Sequence, residues 1–222
     1  NTLPSASLIA SPSTICIGQS ATLSGTNSGG ALNYVYSGSA SPSQAIPESS
    51  GSYTYSSINL SAGSATLAST DLLQVTLNIS HNNISDLDIF LVDPSGTKAI
   101  LLSSDNGGSD NNYTNTVLST SASNIIGTTG NNSGPFTGTY RMEGTLTTAP
   151  DRTGAIFGGN YNSVVPASAL SGAAINGSWT LRVFDDNFNF TTGTLQSWSL
   201  SITQPGAYNS VFNGPASINP AS

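Results

Sequence analysis

The sequence predicts an all-β protein, a jelly-roll-like antiparallel β-sandwich, on three observations. Apolar and polar residues alternate along several short stretches. Clusters of Gly, Asn, Asp and Pro separate those stretches, and helical periodicity is almost absent, its one short candidate being Ala167 to Leu170. Composition agrees: charged residues are only 7% of the 222, which is not the charge-rich make-up of a disordered chain. The abundant Ser, Thr, Asn and Gly suit strands whose solvent face is wetted by hydroxyls and amides.

Three segments follow along the chain. Residues 1–41 are expected to be an N-terminal segment. Within it Ser11 to Ser24 resembles the opening strands of Ig-like repeats of bacterial surface proteins, and it reads either as part of such a domain or as a linker with one or two strands docked on the main body. Residues 42–204 are the expected β domain. Residues 205–222 hold three prolines and no alternation, and read as a tail or linker.

Within the β domain, Leu73, Val75, Leu77 and Ile79 share one face while Gln74, Thr76 and Asn78 share the other, the pattern of a half-buried strand. Leu87 to Val92 is a second strand, more apolar on both faces. Asp93-Pro94-Ser95-Gly96 places Pro and Gly at turn positions, and Lys98 to Leu102 returns as a third strand. Trp179 to Phe184 and Thr194 to Ile202 form a late pair around a turn-rich stretch, Asp185 to Gly193. Trp179 alternates in phase with Leu181 and Val183, and Trp198 with Leu200 and Ile202, so both indoles are expected in the core. Exposed aromatics are expected instead at Tyr113, Phe188 and Phe190, which lie in turn-rich stretches.

Charge and cysteine content narrow the function. The formal charge is −7, and four basic residues (Lys98, Arg141, Arg152, Arg182) are too few for a phosphate-tracking patch, so nucleic acid is not an expected partner. No apolar run approaches the roughly 20 residues of a membrane helix, so membrane insertion is not expected either. Asn1 opens a polar segment rather than a signal peptide. Cys16 is the one cysteine, flanked by Ile15 and Ile17, and reads as a small buried hydrophobe. Few cysteines and few charges together suit a secreted protein.

An ordered series of blocks then carries a family resemblance. Val75 to His81, Ser85 to Leu91 and Pro94-Ser95-Gly96-Thr97 are followed by Leu101-Leu102, Asp105 to Gly108 and Tyr113 to Val117. Pro135 to Arg141 comes next with Glu143-Gly144, and the series closes with Gly177 to Asp186 and Gly193 to Leu200. In this order the blocks resemble the P domain, or Homo B domain, that follows the catalytic domain of kexin- and furin-like proteases. The segment from Thr145 to Ile175 is longer than the family pattern suggests, and the stretch ahead of the match shows no catalytic domain. The resemblance implies a β jelly roll that supports a protease's folding and stability without doing chemistry itself.

Eleven carboxylates are present, nine of them Asp, and Asp86, Asp88, Asp93, Asp105 and Asp110 fall within 25 positions. Asp86 precedes a strand, Asp88 lies on that strand's less apolar face, and the Asp105 to Asn112 loop follows the next strand; Asp185 and Asp186 end a late one. Carboxylates gathered at neighbouring strand ends repel one another, and Lys98 is the only basic residue nearby in sequence to offset them. A hard cation relieves that repulsion, and calcium takes six to eight oxygens from carboxylates, amides and carbonyls. The expected ligands are Asp86, Asp88, Asp105, Asp110, Asn112, Asp185 and Asp186. The competing expectation is that these residues cap turns through their own side chains, above all Asp93 before Pro94.

No catalytic constellation emerges. His81 is the sole histidine and no Gly-x-Ser-x-Gly elbow accompanies it, so a structural role at the adjoining turn is expected. Glu143 and Asp151 are the nominal pair for a two-carboxylate glycosidase, but nothing in the sequence recommends them. The expectation is a non-enzymatic, calcium-binding accessory domain of a secreted or cell-surface protein, whose partners are neighbouring domains. The alternative is an adhesion module that binds a glycan or another cell-surface ligand.

Overall fold

The computed structural model describes residues 5–14, 16, 19, 21–28, 33–48, 53–127, 133–143, 170–187 and 191–206. Its elements are strands and one 3-10 turn, Ile84–Asp86. The chain divides into two units, residues 34–204 and residues 1–33 with 205–222.

The larger unit is a sandwich of two sheets. One has the order β10-β9-β6-β12-β3: β10 (Thr139–Arg141), β9 (Tyr113–Ser119), β6 (Leu72–His81), β12 (Gly193–Gln204) and β3 (Tyr34–Ala40), with β4 (Gln44–Ile46) also on β12. The other has the order β5-β11-β7-β8: β5 (Thr54–Leu60), β11 (Gly177–Asp185), β7 (Leu87–Val92) and β8 (Ala99–Ser104). All strand pairs are antiparallel except β9 with β10. In the smaller unit β1 (Ser5–Ser11) and β2 (Thr22–Ser28) form an antiparallel pair. Cys16 in that unit is an exposed free thiol, not the buried hydrophobe expected, since apolar neighbours in sequence do not decide burial.

The period-two pattern of β6 is realised in full. Leu73, Val75, Leu77 and Ile79 are buried in the core shared by the two sheets, with Ile89 and Leu91 of β7, Leu181, Val183 and Trp179 of β11 from the opposite sheet, and Trp198 beside Leu77 on β12. Each indole N–H is satisfied: Trp179 donates to the Ile175 carbonyl (2.9 Å) and Trp198 to the Ser56 hydroxyl (2.9 Å). The latter bond crosses the sandwich from β12 to β5.

β7 lacks alternation because both its faces are covered. Leu87, Ile89 and Leu91 enter the main core, whereas Phe90 joins Leu101 and Phe184 in a second buried cluster, with Tyr53 against it. A bulge sets Ile89 opposite Ser103 and Phe90 opposite Leu101, so Leu102 is the extra residue. The turn after β7 forms as the sequence predicts. Asp93 accepts from the amides of Thr97 (3.0 Å) and Lys98 (2.9 Å) and from the Ser95 hydroxyl (2.6 Å).

Tyr113 corrects the sequence expectation. It is buried, its hydroxyl 3.0 Å from that of Ser103 and its ring 5.2 Å from Phe136. The turn-forming residues ahead of it end just before β9, whose first inward position it fills. Phe188, Phe190 and residues 167–169 of the short helical candidate lie outside the described residues.

Candidate functional site

The loops at one end of the sandwich gather most of the carboxylates, and the structure sorts them into two different environments. The first is a hydrogen-bonded hub around His81, the last residue of β6. Its Nδ1 lies 2.7 Å from the Asn83 carbonyl oxygen and its Nε2 3.2 Å from Oδ2 of Asp185 at the end of β11. Both side chains are fully buried. The backbone amide of His81 donates to Oδ1 of Asn112 (3.0 Å), which commits that amide oxygen to the strand.

Asp86 closes the hub. Its Oδ1 accepts from the side-chain amides of Asn83 (3.0 Å) and Asn187 (3.2 Å), and its Oδ2 from the Thr191 hydroxyl (3.2 Å). Its carbonyl accepts the Asp186 amide (2.9 Å). Burial pushes the Asp185 carboxyl up, while the Asn187 amide and His81 pull it down. Gly193 makes the packing possible, because a Cβ there would stand 2.2 Å from Cδ2 of His81. The side chains of Asp86, Asp185 and Asn112 are therefore joined in one network, each with donors of its own.

The second environment lies on the far face of the four-stranded sheet. Asp88 sits between Phe184 of β11 and Ser104 of β8 in the strand register. It is fully buried, and neither carboxylate oxygen has a hydrogen-bond partner among the described residues. The Ser104 hydroxyl beside it points to Oδ2 of Asp105 at 3.4 Å. Burial raises the Asp88 carboxyl to about 7. The Ser104 hydroxyl opposes the rise, and the charges of Asp105, Asp186 and Glu143 add to it.

Glu143, set aside in the sequence analysis, lies at the β8 edge of the same sheet, within electrostatic reach of Asp88. Its backbone amide donates to the Leu102 carbonyl (3.4 Å), which brings it alongside β8. Its Oε1 accepts from Asn106 (3.0 Å), and Oε2 is buried without a partner among the described residues. Burial raises this carboxyl to about 7 as well, against the pull of Asn106 and the Ser104 backbone, and the charge of Asp105 adds to the rise. No local pattern marks Glu143, since its neighbours come from β8 and from Asn106, more than 35 positions earlier.

Asp105 adopts a positive φ of 52° and is exposed. Asp110 is exposed too, and its Oδ2 accepts the Gly134 amide (2.9 Å). Among the described residues no three Asp, Glu, His or Cys side chains converge in a geometry that could hold a metal ion. The seven expected ligands are thus dispersed: Asp86, Asp185 and Asn112 in the hub, Asp88 with Asp105 and Asp186 within electrostatic reach, and Asp110 bonded to the Gly134 amide.

Gln44, Ala45, Pro47, Tyr53, Thr54 and Tyr55 line a separate groove of about 430 Å³. Tyr55 is 60% exposed, its ring 6.0 Å from that of Tyr53, and the Arg182 guanidinium stands 5.1 Å from the Tyr53 ring centroid.

The family model described as proprotein convertase P-domain matches residues 70–202. Among solved structures, the Aeromonas sobria serine protease in complex with its chaperone ORF2 is 18% identical over 79% of this chain and 28% of that one, with a TM-score of 0.42. The serine protease of Aeromonas sobria alone is 18% identical over 78% and 27%, with a TM-score of 0.41. This chain therefore spans under a third of those chains. No curated protein matches it.

Proposed function

Because the chain belongs to the proprotein convertase P-domain family, we propose that it serves as a non-catalytic accessory module of a secreted or cell-surface protein, stabilising or positioning a neighbouring domain of the same polypeptide. A protease is the neighbour that the family favours. The observation that carries the reading is the state of His81. The chain's only histidine is fully buried, and both ring nitrogens are engaged, by Asn83 and by Asp185. A general base must reach the proton it removes, and this imidazole is spent on holding β6 of one sheet to the end of β11 of the other.

A structural calcium ion is part of the same proposal. The chemistry of the acidic end suits it, since the carboxylates, Asn amides and hydroxyls there are hard oxygen donors. Asp88 supplies the fit, because its buried and unpartnered carboxylate is the kind of group that a cation neutralises. At ten times its dissociation constant, such an ion adds about 1.4 kcal/mol to stability.

The test is a comparison of the parent polypeptide with and without residues 34–204. Thermal melting and limited proteolysis of the neighbouring domain are expected to show a lower midpoint and faster cleavage when the module is deleted. Unchanged stability and activity of the neighbour overturn the accessory role.

A second reading, a glycan-binding or adhesive surface, is favoured by one observation: the groove carrying the exposed Tyr55 beside Tyr53. Tyrosine faces of this kind offer flat, amphipathic contact area to a sugar ring. A glycan panel distinguishes the two readings.

A further inference from the structure

We infer that Asp88, on the far face of the four-stranded sheet, and Glu143, alongside β8 at the edge of that sheet, hold a single calcium ion. This rests on the calcium part of the reading above and moves the ion away from the Asp86–Asp185 hub. Three oxygens carry it: Oδ1 and Oδ2 of Asp88 and Oε2 of Glu143 are all buried and have no well-formed hydrogen bond among the described residues, the Ser104 hydroxyl beside Asp88 being aimed at Asp105. A carboxylate withdrawn from water without a partner is costly, so such groups pair, protonate or bind a metal.

The hub is an inferior seat on the same criterion. Asp86 already accepts three side-chain hydrogen bonds, Asp185 is engaged by His81 and by the Asn187 amide, and Asn112 has given its oxygen to His81. Bringing an ion there requires breaking several of these bonds. At Asp88 the Ser104 hydroxyl is the one donor at hand, and Oε2 of Glu143 can be used without disturbing the Asn106 bond to Oε1.

The surroundings of Asp88 also lean toward a cation. Asp105 and Asp186 place further negative charge near it. The basic residue on the same sheet face, Arg182, is paired in register with Phe90, two residues along from Asp88, and its guanidinium stands over the Tyr53 ring. The nearby donors are oxygens, with Ser104 adjoining both Asp88 and Asp105. Hard oxygen donors with no nitrogen or sulfur among them select calcium over zinc or copper. Because no three acidic side chains converge, two protein carboxylates hold the ion and the remaining positions go to water and to hydroxyl or carbonyl oxygens.

The test is isothermal titration of chelator-stripped whole chain with calcium chloride, on the wild type and on Asp88→Asn, Glu143→Gln and Asp86→Asn. The wild type is expected to bind one calcium. Asp88→Asn and Glu143→Gln should each weaken binding by about tenfold or more, whereas Asp86→Asn should stay within about threefold. Melting in chelator guards against misfolding, since Asp88→Asn removes a buried charge and is expected to melt no lower than the wild type there. If Asp88→Asn binds as the wild type does while Asp86→Asn loses binding, the location is wrong and the calcium reading survives. If the wild type binds no calcium, both fall. The accessory role is unaffected by either result.

Discussion

Nε2 of His81 lies 3.2 Å from Oδ2 of Asp185, and the contact joins the last residue of β6 in one sheet to the last residue of β11 in the other. Both side chains are fully buried, so removing either leaves a polar partner stranded where water cannot replace it.

His81→Ala is therefore expected to destabilise the sandwich by about 3 kcal/mol, because it orphans Asp185 and frees the Asn83 carbonyl. Gly193→Ala reaches the same pair by another route, since its new Cβ would overlap the imidazole edge. A loss of about 1–3 kcal/mol is expected there. Urea titration of both variants checks this, and a midpoint unchanged by His81→Ala would show that the hub is dispensable.

Trp198 ties the sheets together in the core as well as at the end. Trp198→Ala should cost about 3–5 kcal/mol through the cavity it leaves. Its hydrogen bond to Ser56 is separable from its bulk, because a double-mutant cycle of Trp198→Phe with Ser56→Ala should return a coupling of about 0.5–1.5 kcal/mol. A coupling of zero would mean that the indole contributes packing alone.

In calcium-free buffer the stability should fall as pH rises from about 4.5 to 7. Folded Asp88 and Glu143 hold their protons up to about 7, mainly through burial. Unfolded, they release them near 4 to 4.5. Across that window the native state binds more protons than the unfolded chain, so the free energy of unfolding decreases with pH and levels off above the folded values. Asp185, also raised by burial, acts in the same direction. Saturating calcium should remove the fall. Chemical melts at a series of pH values, with and without calcium, measure it, and a rise in stability over this window would contradict the buried-charge account.

Asp93 is a turn residue rather than a ligand. Asp93→Ala removes an acceptor used by two amides and a hydroxyl, and should cost about 1–2 kcal/mol while leaving calcium affinity unchanged. A change in affinity larger than about threefold would assign it to the metal after all.

Tyr55→Ala, on the outer side of β5, should change stability by less than about 0.5 kcal/mol because the ring is mostly in solvent. Loss of retention on an insoluble polysaccharide in this variant alone would favour the glycan reading, and absence of binding by the wild type would dismiss it.

Local sequence was enough wherever a strand buries one face in plain apolar residues. Leu73, Val75, Leu77 and Ile79 announced β6, and Trp179 and Trp198 announced β11 and β12, because period-two burial is written into the chain itself. β5 was not legible. Its inward positions begin with Thr54 and Ser56, whose hydroxyls bond the Ala45 carbonyl (2.5 Å) and the Trp198 indole, so the buried face does not look apolar. β3 was not legible either. It is an edge strand with little buried surface, lying in residues that read as an N-terminal segment, yet it pairs with β12 over seven positions.

The acidic residues mark the same boundary more sharply. Their crowding in sequence was visible, but crowding in sequence does not decide which carboxylates keep a hydrogen-bond donor after burial. That depends on partners such as Asn187, Thr191, Ser104 and Asn106, some of them over a hundred positions away, brought in by strand register. The sequence by itself determined the fold class, the core faces of its main strands and the oxygen-rich character of one end. Only the tertiary structure decided that Asp86 and Asp185 are satisfied by neighbours while the Asp88 carboxylate and Oε2 of Glu143 are not, because desolvation and pairing are properties of the assembled sheets and not of any stretch of chain.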